Sequence, residues 1–309
     1  MQMFRKSFKI CPFLLLIIVF MTGAQAQTKE IAFTIDDLPL NGPPIGVERL
    51  RKMTAKLLAV VERNRIPMVG FVNEGLLYAP NETDARIAVL KMWTDAGLEL
   101  GNHTFSHLGF QNASLADFED DFIRGESVTK MLMKPNKIRY FRHPFLQMGA
   151  TRELEDAFRK FIGERGYTAV PVTMDTLDWM FLASYAKALN ENDRDFKEKV
   201  TAEYLKFVGL KIDSSEKIAG ELFGRSVKHI LLLHVNELNA DNFEALVEIF
   251  KRKGYRFVTV EEALRDEIYR FPDNYAPTSD WLSHWASSKG KKFETPRPPE
   301  FVQKIYQGK

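Results

Sequence analysis

The chain has 309 residues, of which 45% are apolar and 27% are charged, and these proportions exclude a disordered chain, a collagen-like fibre and a disulfide scaffold. Its formal net charge of +2 has a local source, because Arg5, Lys6 and Lys9 precede the first acidic residue. The rest of the chain holds 40 basic residues against 41 acidic ones. This balance lacks the basic surface that nucleic acids require, so we expect no nucleic-acid partner.

Residues 1–26 have the pattern of a secretory signal peptide. Their basic start precedes an apolar run over residues 12–21, and Ala24-Gln25-Ala26 fits a cleavage site made of small residues. The run is shorter than the roughly 20 residues that a transmembrane helix needs. We therefore expect a periplasmic or secreted protein with no stable membrane insertion after cleavage. An uncleaved membrane anchor is the alternative.

The only cysteine, Cys11, lies inside this segment. It stands at the start of the apolar run, whereas a lipid-accepting cysteine would follow the run, so we expect no lipidation. The mature chain then has no disulfide and no thiolate that could act as a nucleophile or a metal ligand. Any metal ion would be held by His, Asp and Glu side chains.

From Lys29 to about Val260, short apolar runs alternate with amphipathic stretches, which is typical of alternating strands and helices. The predicted strands are Glu30–Ile35, Met68–Val72, Leu98–Gly101, Ile138–Arg142, Tyr167–Thr173, Ile230–His234 and Arg256–Val260. The predicted helices are Val47–Asn64, Ala85–Ala96, Leu115–Met133, Thr151–Arg165 and Ala240–Lys253. Seven strands interleaved with helices predict either a parallel α/β barrel or an open doubly wound sheet.

Two regions depart from this alternation. Residues 180–227 are polar with a helical period, and we interpret them as a helical insertion beside the active-site mouth. They either form part of the substrate cleft or cover the side of the barrel as a structural pad. Residues 271–309 carry five of the fourteen prolines and are predicted to be a C-terminal wrapping tail.

Polar clusters end several of the predicted strands, at the edge that carries the functional site in barrels and open α/β sheets. The adjacent carboxylates Asp36 and Asp37 repel each other unless a cation lies nearby. His103 and His107 are four residues apart and would face the same way on a helical turn. If a metal ion binds here, two imidazoles and one carboxylate would leave open positions on it, as in a catalytic site. Taken alone, the two clusters also fit two solvated aspartates in a turn and a loop with unrelated histidines.

Three further clusters follow along the chain. They are Arg142-His143-Pro144-Phe145, Asp175-Thr176-Leu177-Asp178-Trp179 and Leu232-Leu233-His234. An arginine at a strand end can orient a carboxylate. Taken alone, each cluster also fits a simpler interpretation: a surface arginine, an acidic turn and a core histidine.

Together and in this order, the five clusters resemble the motifs of the polysaccharide deacetylases (NodB-homology, carbohydrate esterase family 4). Thr34-Ile35-Asp36-Asp37 resembles T-F-D-D, and His103 to His107 resembles H-[ST]-x-x-H. The later clusters are similar to R-x-P-[FY], D-[ST]-x-D-W and L-x-H. The resemblance implies an α/β fold, a distorted (β/α)7 barrel, with residues 27–270 as the catalytic domain.

The resemblance also implies a metal site. Asp37, His103 and His107 would hold a divalent ion, most readily Zn²⁺, although Co²⁺, Ni²⁺ or Mn²⁺ suits the same ligands. Asp36 would be the general base, and Arg142 would orient it and keep it ionised.

The resemblance also implies roles for the remaining motif residues. His234 would protonate the departing amine, with either Asp178 or Asp175 holding its ring. The backbone N–H of Phe145 would meet the oxyanion of the tetrahedral intermediate. The side chains that would form a small apolar pocket for the acetyl methyl are Trp179 and Leu232.

The implied activity is removal of N-acetyl groups from N-acetylated glycans such as peptidoglycan, chitin-type oligomers or an exopolysaccharide. One alternative is a hydrolase on the same scaffold that acts on small amides, cyclic imides or O-acetyl esters. A second alternative is a non-catalytic glycan-binding protein. It is disfavoured because every motif keeps its charged member.

Overall fold

The computed structural model describes residues 28–133, 140–271 and 280–308. The predicted signal peptide lies outside the described residues. The described chain forms a curled parallel sheet surrounded by helices. Its strands are β1 (Lys29–Leu38), β2 (Met68–Val72), β3 (Glu99–Asn102), β4 (Tyr140–Phe141), β5 (Thr168–Ala169), β6 (Met174–Asp175), β7 (Lys228–His234) and β8 (Tyr255–Phe257).

The longest strand, β1, pairs with three other strands: β2, β7 and β8. The strand order is β5-β4-β3-β2-β1-β7-β6, and β8 pairs with the first residues of β1. All of these pairings are parallel, so the strands end at a common edge. The register places Asp36 directly opposite His234 at that edge. The sheet has the architecture of a distorted (β/α)7 barrel, as the sequence predicts.

The strand predicted over residues 167–173 is wrong in detail. The chain forms two short strands here, and β5 pairs with β4 whereas β6 pairs with β7. Between them, the N–H of Val170 donates to Phe141 and that of Thr173 donates to Ile230. One continuous segment therefore connects β4 to β7. A single change of hydrogen-bonding partner, between Val170 and Thr173, divides what the apolar pattern presents as one strand.

Alternate side chains of β1 point to opposite sides of the sheet. Ile31, Phe33 and Ile35 belong to the large apolar core formed with the outer helices. Ala32 belongs to a separate cluster inside the barrel, and Thr34 continues this inner face. The interior is therefore apolar where β1 begins and polar where it ends, which places the charged motif residues at one end of the barrel.

Eleven α-helices surround the sheet in the described part of the chain. They are α1 (Val47–Asn64), α2 (Thr83–Asp95), α3 (Leu115–Arg124), α4 (Ser127–Leu132), α5 (Arg152–Glu164), α6 (Asp178–Asn190), α7 (Arg194–Phe223), α8 (Glu237–Arg252), α9 (Val260–Leu264), α10 (Trp281–Ser288) and α11 (Glu300–Tyr306). Short 3₁₀ turns cover Glu74–Leu77, Pro144–Leu146 and Glu267–Arg270. None of the helices in the described ranges is both long and apolar enough to cross a membrane.

The region between β6 and β7 forms two helices, α6 and α7, that pack on each other. The longer helix, α7, also packs on α8 and α10, along the side of the barrel. The C-terminal region is not only a wrapping segment, because it forms α10 and α11. Helix α11 packs against α6.

The helix predicted over residues 115–133 breaks at Gly125, which separates α3 from α4. A Cβ atom at this position would lie 2.5 Å from the carbonyl carbon of Thr104, so only glycine lets the backbones approach this closely. The break therefore allows the loop after β3 to rest on the end of α3.

We expect Gly125→Ala to destabilise the protein by about 1–3 kcal/mol, because the added methyl group must displace the backbone of Thr104. Gly163→Ala in α5 is the matched control, since its new Cβ would meet no atom within 4 Å beyond its chain neighbours and the adjacent backbone of its own helix. The control should stabilise the protein by roughly 0.5 kcal/mol. Urea unfolding of both variants measures these changes, and equal stabilities would contradict the packing argument.

Candidate active site

Three potential metal ligands converge at the strand ends. Asp37 belongs to the end of β1, and His103 and His107 follow β3. The Oδ1 atom of Asp37 lies 3.5 Å from Nε2 of His103 and 3.3 Å from Nε2 of His107. One ligand atom from each residue lies within 4.8 Å of the other two. One divalent ion can therefore reach all three side chains.

The two histidines do not lie on a helical turn, and that part of the prediction is wrong. They lie on a loop in which Thr104 and His107 have φ values of 64° and 57°. Asp121 holds this loop: its carboxylate accepts from the N–H and hydroxyl of Ser106, and its backbone carbonyl accepts from Phe105. The positive φ values of this loop, and not a helical turn, thus bring the two histidine side chains together.

The groups around these ligands favour metal binding. Nδ1 of His103 is 2.8 Å from the carbonyl oxygen of Arg142, an arrangement that directs Nε2 toward Asp37. Burial and the neighbouring His107 lower the pKa of His103 to about 3, so its imidazole is neutral, as a ligand must be. The amides of Asn41 and Asn73 donate to the two carboxylate oxygens of Asp37 at 2.8 and 3.1 Å. This donor set fits a divalent ion.

A buried ion pair lies beside the three ligands. The guanidinium of Arg142 donates to Oδ2 of Asp36 at 3.3 Å and to Thr34 Oγ1 at 3.0 Å. A third hydrogen bond joins its Nε to the carbonyl of Val170 at 2.8 Å. Burial raises the pKa of Asp36 above its usual value, and the positive charge of Arg142 limits the rise. Asp36 is thus held in place as a carboxylate of increased basicity.

His234 forms a second charged pair with Asp178. Its Nδ1 lies 2.8 Å from Oδ1 of Asp178, and its backbone N–H donates to Oδ2 at 2.8 Å. The amides of Asn236 and Asn239 also donate to Asp178. Burial alone would lower the pKa of His234, but the Asp178 carboxylate outweighs this effect and raises it to about 10. The imidazole is therefore protonated at neutral pH.

The sequence left open whether Asp175 or Asp178 holds the histidine, and the structure places Asp178 there. Asp175 instead accepts a hydrogen bond from the N–H of Leu177 at 2.8 Å. Burial raises the pKa of Asp175 to about 6. Asp175 nevertheless lines the same cavity as Asp36 and His234.

A cavity of about 480 Å³ is lined by all of the predicted site residues except Arg142 and Asp178, which lie buried behind Asp36 and His234. Besides the charged groups, it is lined by Phe145, Trp179 and Leu232, which were predicted as substrate contacts. Tyr306 of α11 also lines it, and sequence reasoning missed this residue. Of residues 180–227, only Leu182 lines this cavity, so α7 covers the side of the barrel instead.

Backbone conformations that are unfavourable for most side chains are concentrated at this edge. Nine described residues other than glycine have positive φ, and six of them belong to the motifs or directly follow them. These six are Asp37, Thr104, His107, Phe145, Leu146 and Leu177. Such conformations cost energy and persist where the surroundings enforce them, which is common at active sites. Their distribution therefore supports a functional role for the edge.

Several supporting residues have only weak signals in the sequence. Asn73 directly follows β2, and its position after a buried strand could have identified it. Asn41 follows β1 closely and could have been found in the same way. Asn236 precedes α8 as its N-cap, a common structural role that hides its contact with Asp178. Tyr306 has no local signal at all, because only tertiary packing brings it to the cavity.

A family model for polysaccharide deacetylases matches residues 23–170. A chitin deacetylase of Colletotrichum lindemuthianum is 25% identical over 253 residues, which cover 81% of this chain and 83% of the relative. The chain is therefore similar to polysaccharide deacetylases over these residues. This similarity supports hydrolase activity in general. Deacetylases of carbohydrate esterase family 4 depend on metal ions.

Solved structures of the family share the fold. A carbohydrate esterase family 4 pseudoenzyme from Bacillus anthracis, in a mutant form with restored activity, is 18% identical with a TM-score of 0.52. The alignment covers 77% of this chain and 68% of that one. A peptidoglycan N-acetylglucosamine deacetylase is also 18% identical, with a TM-score of 0.50 and coverage of 77% and 88%. These similarities confirm the distorted (β/α)7 barrel.

We expect Zn²⁺ to raise the melting temperature of the protein, because an ion that binds only the folded state stabilises it. His103→Ala should remove most of this increase, since it deletes one of three ligands. Asp36→Asn is the matched control, because it alters a neighbouring carboxylate outside the ligand set and should retain the Zn²⁺ effect. Thermal unfolding with Zn²⁺ or chelator measures the shift, and an equal increase in His103→Ala would contradict this ligand set.

Proposed function

We propose that the protein is a metal-dependent hydrolase that removes N-acetyl groups from N-acetylated glycans. Candidate substrates are peptidoglycan, chitin-type oligomers and an exopolysaccharide. One observation supports the proposal above the others: a single cavity is lined by the three potential ligands together with Asp36 and His234. Behind its wall, Arg142 pairs with Asp36 and Asp178 pairs with His234. Amide hydrolysis needs a base and an acid on the two sides of the scissile bond, and these two pairs can supply them.

The proposed ion would polarise the acetyl carbonyl and lower the pKa of a water molecule. Asp37, His103 and His107 would hold it. Zn²⁺ is our first choice, and Co²⁺, Ni²⁺ or Mn²⁺ also suits two imidazoles and a carboxylate. The neutral state of His103 and the two asparagines on Asp37 support this assignment.

Asp36 would act as the general base that takes a proton from the attacking water. Its raised pKa makes it a better proton acceptor than an exposed carboxylate. Arg142 would keep it ionised and fix its orientation through the contact with Oδ2. The base lies on β1 and its positioning group directly follows β4, so residues from separate strands of the sheet meet at this site.

His234 would donate a proton to the departing amine, and Asp178 would keep the imidazolium charged and oriented. The backbone N–H of Phe145 would meet the oxyanion, in a turn where Phe145 has a φ of 55°. Trp179 and Leu232 line the same cavity and would contact the acetyl methyl. The products would be acetate and a free amino group on the sugar.

Two other functions remain testable alternatives. A hydrolase of small amides, cyclic imides or O-acetyl esters could use the same acid and base. A non-catalytic glycan-binding protein also deserves a test, because one solved structure of similar fold is a pseudoenzyme. The paired geometry of Asp36 with Arg142 and of His234 with Asp178 favours catalysis. We further propose that the protein is exported to the periplasm or secreted, on the strength of the signal pattern in residues 1–26.

The decisive experiment is acetate release from a panel of N-acetylglucosamine oligomers, peptidoglycan, O-acetyl xylan and cyclic imides. We expect release from an N-acetylated glycan, loss after chelation and recovery when metal is restored. Asp36→Asn should lower turnover at least about 100-fold while metal remains bound, because the amide cannot accept the proton. Release only from esters or imides would favour the first alternative. Glycan binding without any release would favour the second.

The pH dependence should show which group acts as the acid. A protonated His234 is required, so activity should fall as pH rises through its pKa of about 10. Asp178→Asn removes the charge that raises this pKa, and the alkaline limb should then move to lower pH. Profiles of kcat/KM against pH for both proteins measure the shift. An unchanged alkaline limb in the variant would exclude His234 as the acid.

A further inference from the structure

Helix α11 brings an aromatic side chain to the mouth of the cavity. Tyr306 lines the cavity together with Trp179, and their ring centroids are 5.0 Å apart in an edge-to-face arrangement. The side of Tyr306 that does not contact Trp179 remains accessible, since the residue is 49% exposed. None of the five motifs includes Tyr306, so the motif roles leave it without a function.

The helix that carries Tyr306 is firmly anchored. Val302 is fully buried in the main apolar core. The ring centroids of Phe301 and Phe196 are 5.9 Å apart. The ammonium of Lys199 lies 4.7 Å from the centroid of the Phe301 ring. These contacts attach α11 to the barrel through two faces, so the position of Tyr306 at the mouth is fixed.

Tyr306 lies at the rim of the cavity, whereas the charged groups lie at its floor. Asp36 and His103 are both buried, and Tyr306 is exposed at one side of the opening. A second exposed ring, Phe145, lies against His107 and is 60% exposed. An acetamide group must reach the floor to react. The sugar ring attached next to the reacting one then lies at the rim, where the aromatic rings are.

We propose that Tyr306 is a specificity-determining residue that stacks on the sugar ring adjoining the one that loses its acetyl group. The C–H face of a pyranose is apolar and its hydroxyl groups point outward, so an aromatic ring can cover the face without burying the hydroxyls. The site therefore prefers oligomers over single N-acetylated sugars. This inference rests on the proposed deacetylase function and extends it to the length of the substrate.

The test compares kcat and KM of wild type, Tyr306→Ala and Tyr306→Phe on N-acetylglucosamine and its tetramer. For Tyr306→Ala, we expect KM for the tetramer to rise on the order of tenfold with little change in kcat, because a stacked ring contributes to binding. The single sugar should be hydrolysed as by wild type. Tyr306→Phe keeps the ring and should restore the wild-type KM.

Gln307→Ala is the matched control, since Gln307 is the exposed neighbour and is absent from the cavity lining. Tyr306→Leu provides a second truncation if Tyr306→Ala does not fold. An unchanged KM for the tetramer would overturn the inference. An equal loss on both substrates, or a Tyr306→Phe variant as defective as Tyr306→Ala, would also overturn it, because stacking predicts neither result.

Failure of the proposed function is distinguishable from failure of this inference. If wild type releases no acetate from any glycan, the deacetylase proposal fails. Calorimetric binding of the chitin tetramer, which needs no turnover, then tests Tyr306 separately. Weaker binding by Tyr306→Ala than by wild type supports the stacking role, and equal or undetectable binding by both proteins overturns it.

Discussion

The buried guanidinium of Arg142 constrains the end of the barrel at which the candidate site lies. Arg142 is only 1% exposed, and a guanidinium in such surroundings requires a charged partner and hydrogen-bond acceptors. Asp36 and Thr34 on β1 and the carbonyl of Val170 provide them. Removing one partner of a buried pair typically costs about 3–5 kcal/mol, so the relative positions of these strands are tightly fixed.

The same residue connects the two halves of the proposed chemistry. The side chain of Arg142 holds Asp36, and its backbone carbonyl accepts from Nδ1 of His103. A displacement of Arg142 would therefore move both the base and one potential ligand. The ring of Phe71 lies 4.7 Å below the guanidinium and excludes water from its other side. The charge beside Asp36 and the orientation of His103 thus depend on one residue.

Elements that a local sequence pattern determines were predicted correctly. The apolar run that forms β2 is predicted residue for residue, and helix Val47–Asn64 has the same bounds in the structure. The motif carboxylates and histidines meet because parallel strands share an edge. Proximity of Asp37 and His103 therefore followed from the order of strands and needed no knowledge of side-chain packing.

The remaining features depend on contacts between distant residues. The histidine loop takes its conformation from Asp121 and from the close approach at Gly125, neither of which the spacing of His103 and His107 reveals. Tyr306 reaches the cavity only because α11 packs on α6. Asp178, and not Asp175, pairs with His234 because its carboxylate faces the imidazole ring. Such relations arise from tertiary structure, which a local pattern does not encode.

The segment that bridges β4 and β7 has a consequence for the motions of the barrel. β5 and β6 each pair through two register positions, whereas β1 and β7 pair through seven. Local opening needs fewer broken hydrogen bonds at this seam, so its amides should exchange with solvent sooner than those of β1. Asp175 lies at the end of this seam, whereas Asp37 lies at the end of β1 and the two histidines follow β3. Opening at this seam would displace one wall of the cavity and leave the three potential ligands in place.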